Sequence, residues 1–204
     1  MCNIHNIMSK IHNLDTKTRI VVLLLDESDR EFTIREISQR VKIDYKTIYQ
    51  NVDVLAKRGT ICKRPVANAV FCSISRELNR DILSAESCRQ ESGLHNADIR
   101  QIFLQLRVMR NPFFICLLFG SYAKNKQTPK SDIDLMFVCE NPESFEKKLR
   151  EQLSPIPLKL HILVFSYNDF IRMLKEKDSV VSQAVKNYVI LHGIEQFYGL
   201  LAHG

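Results

Sequence analysis

The chain has 204 residues, 45% of them hydrophobic and 25% charged, which suits a soluble globular protein long enough for two small domains. A formal net charge of +6 permits a nucleic-acid partner without requiring one, and the surplus is denser in residues 1–75, where 12 Lys and Arg face 8 Asp and Glu. No apolar run approaches the ~20 residues that span a bilayer, and residues 1–15 are polar, without a signal peptide's apolar core, so a cytoplasmic location is expected.

In chain order, Asp15 to Glu27 has an apolar centre, Ile20 to Leu25, too continuous for a surface helix and suited to a buried one. Thr33-Ile34-Arg35-Glu36 reads as a capping box opening a helix that buries Ile34, Ile37 and Val41. After a turn at Lys42-Ile43-Asp44, a third helix is expected from Tyr45 to about Lys57, with Tyr45, Ile48, Val52 and Leu55 inward and Gly59 at its end. A hairpin follows, Thr60–Arg64 and Val70–Ile74, turning near Ala67-Asn68.

Three helices followed by a hairpin, with Tyr-Lys-Thr-Ile-Tyr-Gln-Asn-Val-Asp-Val-Leu-Ala-Lys-Arg-Gly as the third helix, resemble a winged helix-turn-helix over about residues 16–75. Helical geometry turns Lys46, Thr47, Tyr49 and Gln50 to solvent, with Asp53 at the margin. Such side chains suit phosphate and base-edge contacts, and Lys63 and Arg64 sit where a wing would touch the DNA backbone. The plainer reading of the same surface is protein contact or dimerisation.

Residues 76–97 are polar with a thin apolar set and read as a connecting helix that frays around Ser92-Gly93. This organisation gives a winged-helix domain over 1–75, a connector over 76–97 and a second domain over 98–204. Ala97 to Arg110 carries a clean helical stripe, stopped by Asn111-Pro112. Phe113 to Phe119 is seven apolar residues in a row, a strand buried on both faces. Gly120-Ser121 breaks it, a Lys-rich loop follows, and a second strand opens with Asp132 and Asp134 at spacing two, which points both acids to one face. Like charges so close call for a cation, and hard divalent ions take carboxylate oxygens together with substrate phosphates.

Further on, Asn141-Pro142 starts a helix to Leu153, Leu158 to Phe165 is a third strand, and Ser166-x-x-Asp169 opens a helix to Lys177. Ser179 to His192 reads as a last helix closed by Gly193, with Glu195 to Leu200 as an edge strand. The six cysteines (2, 62, 72, 88, 116, 139) form no CxxC pair and read as reduced, mostly buried thiols.

Leu-Phe-Gly-Ser-Tyr-Ala-Lys followed by Ser-Asp-Ile-Asp-Leu resembles the signature of the polymerase-beta-like nucleotidyltransferase superfamily, most of all its small prokaryotic minimal members, over about residues 100–200. The alternative is a βαβ-like unit whose two aspartates merely solvate a strand end. The two resemblances together imply an α+β protein: a winged helix-turn-helix plus a domain with a small mixed sheet covered by helices. For the second domain the resemblance implies that Gly120, Ser121 and Lys124 hold a nucleoside triphosphate and that Asp132 and Asp134 hold Mg²⁺ or Mn²⁺. A nucleoside monophosphate would then pass to a protein or RNA hydroxyl, in a regulator of the toxin–antitoxin or stress-response kind, with a homodimer among the expectations.

The superfamily takes a third carboxylate from the strand after Asp-x-Asp. Here Leu158 to Phe165 contains none, and its polar members are Lys159 and His161. His161 is the substitute candidate, as a general base near neutral pH; as a bystander it would be an exposed edge residue or a satisfied half-buried ring. Asn125 stands where the motif usually has Gly and tolerates a left-handed turn. The alternative function is a transcriptional regulator whose degenerate transferase domain only senses a nucleotide or dimerises.

Overall fold

The computed structural model describes residues 15–109 and 113–203. Cys2, Arg110 and the helix stop at Asn111-Pro112 lie outside the described residues. The chain divides into two compact units, residues 1–88 and 89–204.

In the first unit, α1 (Thr16–Asp26) starts at Asp15, whose side chain accepts from Thr18 N, and buries Ile20, Val21, Val22, Leu24 and Leu25. The two-residue strand β1 (Phe32–Thr33) leads into α2 (Ile34–Val41). Thr33 caps α2 by accepting from Glu36 N at 3.2 Å, and the Glu36 carboxylate accepts from Thr33 N at 2.7 Å, a complete capping box. Lys42 ends α2 in the left-handed region (φ 57°), and Asp44 then caps α3 (Tyr45–Lys57). Gly59 follows α3 with φ 73°, where a side chain would be strained. Strands β2 (Ile61–Val66) and β3 (Ala69–Ile74) form the hairpin, with β1 completing a three-stranded antiparallel sheet in the order β1-β3-β2. Three helices and a hairpin are the architecture of a winged helix-turn-helix. One core expectation is corrected: Tyr45 is 54% exposed, because α3 buries only Ile48, Val52 and Leu55, and the Tyr45 ring lies beside Tyr49 one turn on, centroids 6.3 Å apart.

Helix α4 (Arg80–Gly93) spans the division between the units. Its first turn is held in unit one, where Thr60 Oγ1 donates to Asp81 and accepts from Asn79. In unit two, Gln90 donates to the carbonyls of Ile190 and Leu191, and Arg89 to that of Tyr188.

Unit two is built on a four-stranded mixed sheet, β4 (Phe114–Phe119), β5 (Ile133–Cys139), β6 (Leu160–Ser166) and β7 (Val189–His192), in the order β6-β5-β4-β7. Pairing is antiparallel for β4 with β5 and with β7, and parallel for β5 with β6. Every residue of β4 is buried, as its unbroken apolar run requires. Phe114, Cys116 and Leu118 join Ile133, Leu135 and Phe137 in one cluster with α5 (Ala97–Val108) and α7 (Pro142–Leu153). Strand alternation sends Asp134, Met136 and Val138 to the opposite face. The short helix α6 (Gly120–Ala123) follows β4 directly, while α8 (Tyr167–Lys175), α9 (Ser179–Ala184) and α10 (Ile194–His203) complete the unit.

The far end departs from the sequence expectation. The helix expected over 179–192 stops at Ala184, and Val189 to His192 is strand β7. Val189, Ile190 and Leu191 are consecutive buried residues, which a one-sided helix cannot bury, and they pair with the otherwise open edge of β4. The expected edge strand at Glu195–Leu200 is helix α10 instead, since β7 already takes that edge. Smaller shifts follow the same logic. Phe113 is 69% exposed and precedes β4, β6 begins at Leu160, and α8 ends at Lys175, before Lys177 at φ 54°. Cys72, Cys116 and Cys139 are buried, and burial pushes the Cys72 thiol up to about 11; Cys62 is exposed and Cys88 half-buried.

Candidate functional site

At the end of β4 the chain turns at Gly120 with φ 70°, a conformation L side chains rarely adopt. Antiparallel register sets Phe119 opposite Asp134, so the turn passes directly over that carboxylate. A Cβ on Gly120 would fall inside the Asp134 carboxyl, with Cγ at 2.9 Å. Glycine is required here by close approach as much as by φ. On the other side, the parallel register pairs Asp134 with His161, and His161 Nδ1 lies 3.0 Å from Asp134 Oδ1. The Asp134 carboxylate is therefore held between a glycine backbone and an imidazole that is 56% exposed.

Asp132 lies one residue before β5 rather than on it, and is exposed. Ile133 N, donating to Lys159 O at 2.9 Å, fixes the chain at that point. Ser121 is half-buried in α6, Lys124 is exposed at its end, and Asn125 takes the left-handed conformation at φ 52°. Lys126 N donates to Ser121 O at 2.9 Å, which folds the Lys-rich loop back onto the turn.

Among the described residues no three His, Cys, Asp or Glu side chains gather into a set that could hold a metal ion. The donor chemistry still fits one hard cation. Asp134 presents carboxylate oxygens in a space that a Cβ at 120 would fill, Asp132 is two residues away, and phosphate oxygens can complete the shell. Asp132 and Asp134 would hold that ion. A second protein-held ion has no carboxylate on β6 to bind it.

In unit one, α3 leaves Lys46, Tyr49 and Gln50 exposed and Thr47 partly so, its N–H donating to the Asp44 cap. The wing cations are already engaged. Lys63 Nζ lies 3.0 Å from Asp53, which also binds Lys57, and Arg64 pairs with Glu31. These bonds hold Asp53 and Glu31 below the usual carboxylate range and raise Lys63. Sequence reasoning missed both wing pairs, because the partners lie 10 and 33 residues away and meet only through the hairpin register. The Gly120–Asp134 approach was equally invisible until β4 and β5 were in register.

No curated protein matches the chain. Among solved structures, reduced HlyU from Vibrio cholerae N16961 is 22% identical over 46% of this chain and 86% of that one, with a TM-score of 0.31. Human N-acetylserotonin methyltransferase in complex with SAM is 10% identical over 54% of this chain and 36% of that one, at 0.27. Neither likeness carries an argument at such scores. The match that bears on the site is to a family model: residues 107–196, the segment holding Gly120, Asp134 and His161, match the model described as polymerase beta, nucleotidyltransferase.

Proposed function

We propose that this chain is a DNA-binding protein whose second domain takes a nucleoside triphosphate with a divalent cation and transfers the nucleoside monophosphate to a protein or RNA hydroxyl. The observation that carries the reading is the Asp134 carboxylate fixed beneath the Gly120 turn, within a segment of nucleotidyltransferase type. Gly120, Ser121 and Lys124 receive the triphosphate, with the Lys124 ammonium free to meet phosphate charge. In the transfer, the acceptor oxygen bonds to the α-phosphorus and the bond from that phosphorus to the bridging oxygen breaks. Pyrophosphate leaves, and the hydroxyl proton passes to the group formed by Asp132, Asp134 and His161. Asp132 and Asp134 would hold the divalent cation, which would supply neutralisation of the charge on the phosphates. On the DNA side, Lys46, Thr47, Tyr49 and Gln50 of α3 meet the groove, while Lys63 and Arg64 meet phosphates after exchanging their acidic partners.

The lack of a carboxylate on β6 favours a second reading, a transcriptional regulator whose transferase domain senses a nucleotide or dimerises without transfer. Incubation of the full chain with each α-labelled NTP, Mg²⁺ or Mn²⁺ and cell lysate separates the two. Labelled protein or RNA that depends on Asp134 supports transfer; saturable NTP binding without any labelled product supports the sensor.

A further inference from the structure

We infer that His161 is a metal ligand, its Nδ1 joining Asp134 where a third carboxylate would otherwise stand, and that this gives the site a preference for a Mn²⁺-type ion over Mg²⁺. The inference rests on the reading of this turn as a metal–triphosphate site.

The parallel register of β5 and β6 makes Asp134 and His161 cross-strand neighbours. Their facing atoms, Oδ1 and Nδ1, are 3.0 Å apart. At that distance the two atoms are close enough to serve as neighbouring donors to one ion while both strands stay in place. The other Asp134 oxygen faces Gly120, whose missing Cβ leaves that side of the carboxylate open to backbone approach. The imidazole is more than half exposed, so it enters the shell from the solvent side rather than from a packed core. Within Leu158 to Phe165 the other polar side chain is Lys159, a cation and no ligand.

The chemistry then sets the preference. Mg²⁺ demands oxygen donors, whereas imidazole nitrogen suits first-row transition ions. With Nδ1 on the ion, the hydroxyl proton of the proposed transfer passes, within the group of Asp132, Asp134 and His161, to a carboxylate rather than to the imidazole.

The test is pulsed EPR on the full chain with MnCl₂ and inorganic triphosphate, with the bound fraction set by equilibrium dialysis. Bound Mn²⁺ is expected to show both ³¹P coupling and a ¹⁴N coupling from imidazole. His161→Ala should remove the ¹⁴N signal, keep the ³¹P signal and weaken Mn²⁺ retention roughly tenfold or more. His161→Asp, an all-oxygen set, should shift the relative retention toward Mg²⁺. Asp134→Asn should lose the ion, which separates this site from stray histidines. Bound Mn²⁺ with ³¹P but no ¹⁴N coupling in the wild type overturns the ligand role of His161 while leaving the metal–phosphate site standing. No retained Mn²⁺ at all overturns both. A ¹⁴N signal that survives His161→Ala also overturns the inference, since the nitrogen is then another residue's.

Discussion

The two charged surfaces of this protein are neutralised in opposite ways. On the wing, each cation has already found an acid of its own unit, Lys63 with Asp53 and Arg64 with Glu31. At the turn after β4, Asp134 has as its ion-pair partner among the described residues only the imidazole of His161. A surface that satisfies its own charge can fold and persist without a ligand, and a partner must compete for it. On the proposed reading, a carboxylate tucked under a glycine and two residues from a second acid takes its further charge partner, a cation, from outside. On that reading the first surface is tuned by exchange and the second by capture.

The sharpest break of that contrast is at Asp134. Asp134→Asn removes the charge while keeping the shape, and NTP binding in the presence of Mg²⁺ or Mn²⁺ should fall roughly a hundredfold or more, as judged by calorimetry. Chelator should do the same to the wild type. Equal affinity with and without chelator would mean that the site captures no cation. Gly120→Ala comes next. The new Cβ meets the Asp134 carboxyl and the backbone stays at φ 70°, so stability should drop by about 1–3 kcal/mol and NTP binding with it. Unchanged thermal melting would show that the turn is looser than the Asp134 contact implies.

How much of this was legible beforehand follows from where each signal resides. The capping box at Thr33–Glu36, the all-apolar β4 and the left-handed Asn125 are local, so a few consecutive residues specify them. The Gly-Ser and Asp-x-Asp pattern indicated which strands carry the candidate site, and its own positions were in the sequence. What was hidden is relational. Val189 to His192 fits a helical stripe by itself and becomes a strand only because β4 has an edge to fill. Tyr45 lies three residues before the buried Ile48, yet its own side chain is 54% exposed. The facing of Nδ1 and Oδ1 needs two strands in parallel register, and nothing within Leu160 to Ser166 encodes it.

The wing offers the converse experiment. Glu31→Gln and Asp53→Asn remove the acids and leave Arg64 and Lys63 unpaired. If the wing meets DNA phosphates by exchange, each change should raise affinity at low salt and steepen the plot of log affinity against log salt by up to about one. Lys63→Ala and Arg64→Ala should flatten it by similar steps. A salt slope indifferent to all four would assign the winged unit to protein contact.

The smallest expected effect is a matter of pH and bears on unit one alone. The Glu36 carboxylate accepts from Thr33 N and Thr33 Oγ1, with Arg30 close by, and these bonds hold it below the usual glutamate range. Its folded pKa is thus depressed relative to an unfolded value near ~4.3. A depressed acid stabilises the fold fully above the unfolded value, and that share disappears as pH falls through the folded one. Because the group is largely solvated, its share should be below about 1 kcal/mol. Urea melts from pH 6 down to pH 3 should therefore show the gap between wild type and Glu36→Gln closing as the acid is protonated, since glutamine cannot titrate. A gap that stays constant over that range would mean that the cap depends on shape and hydrogen bonding rather than on the charge. The self-neutralising character of this unit would then extend no further than its wing.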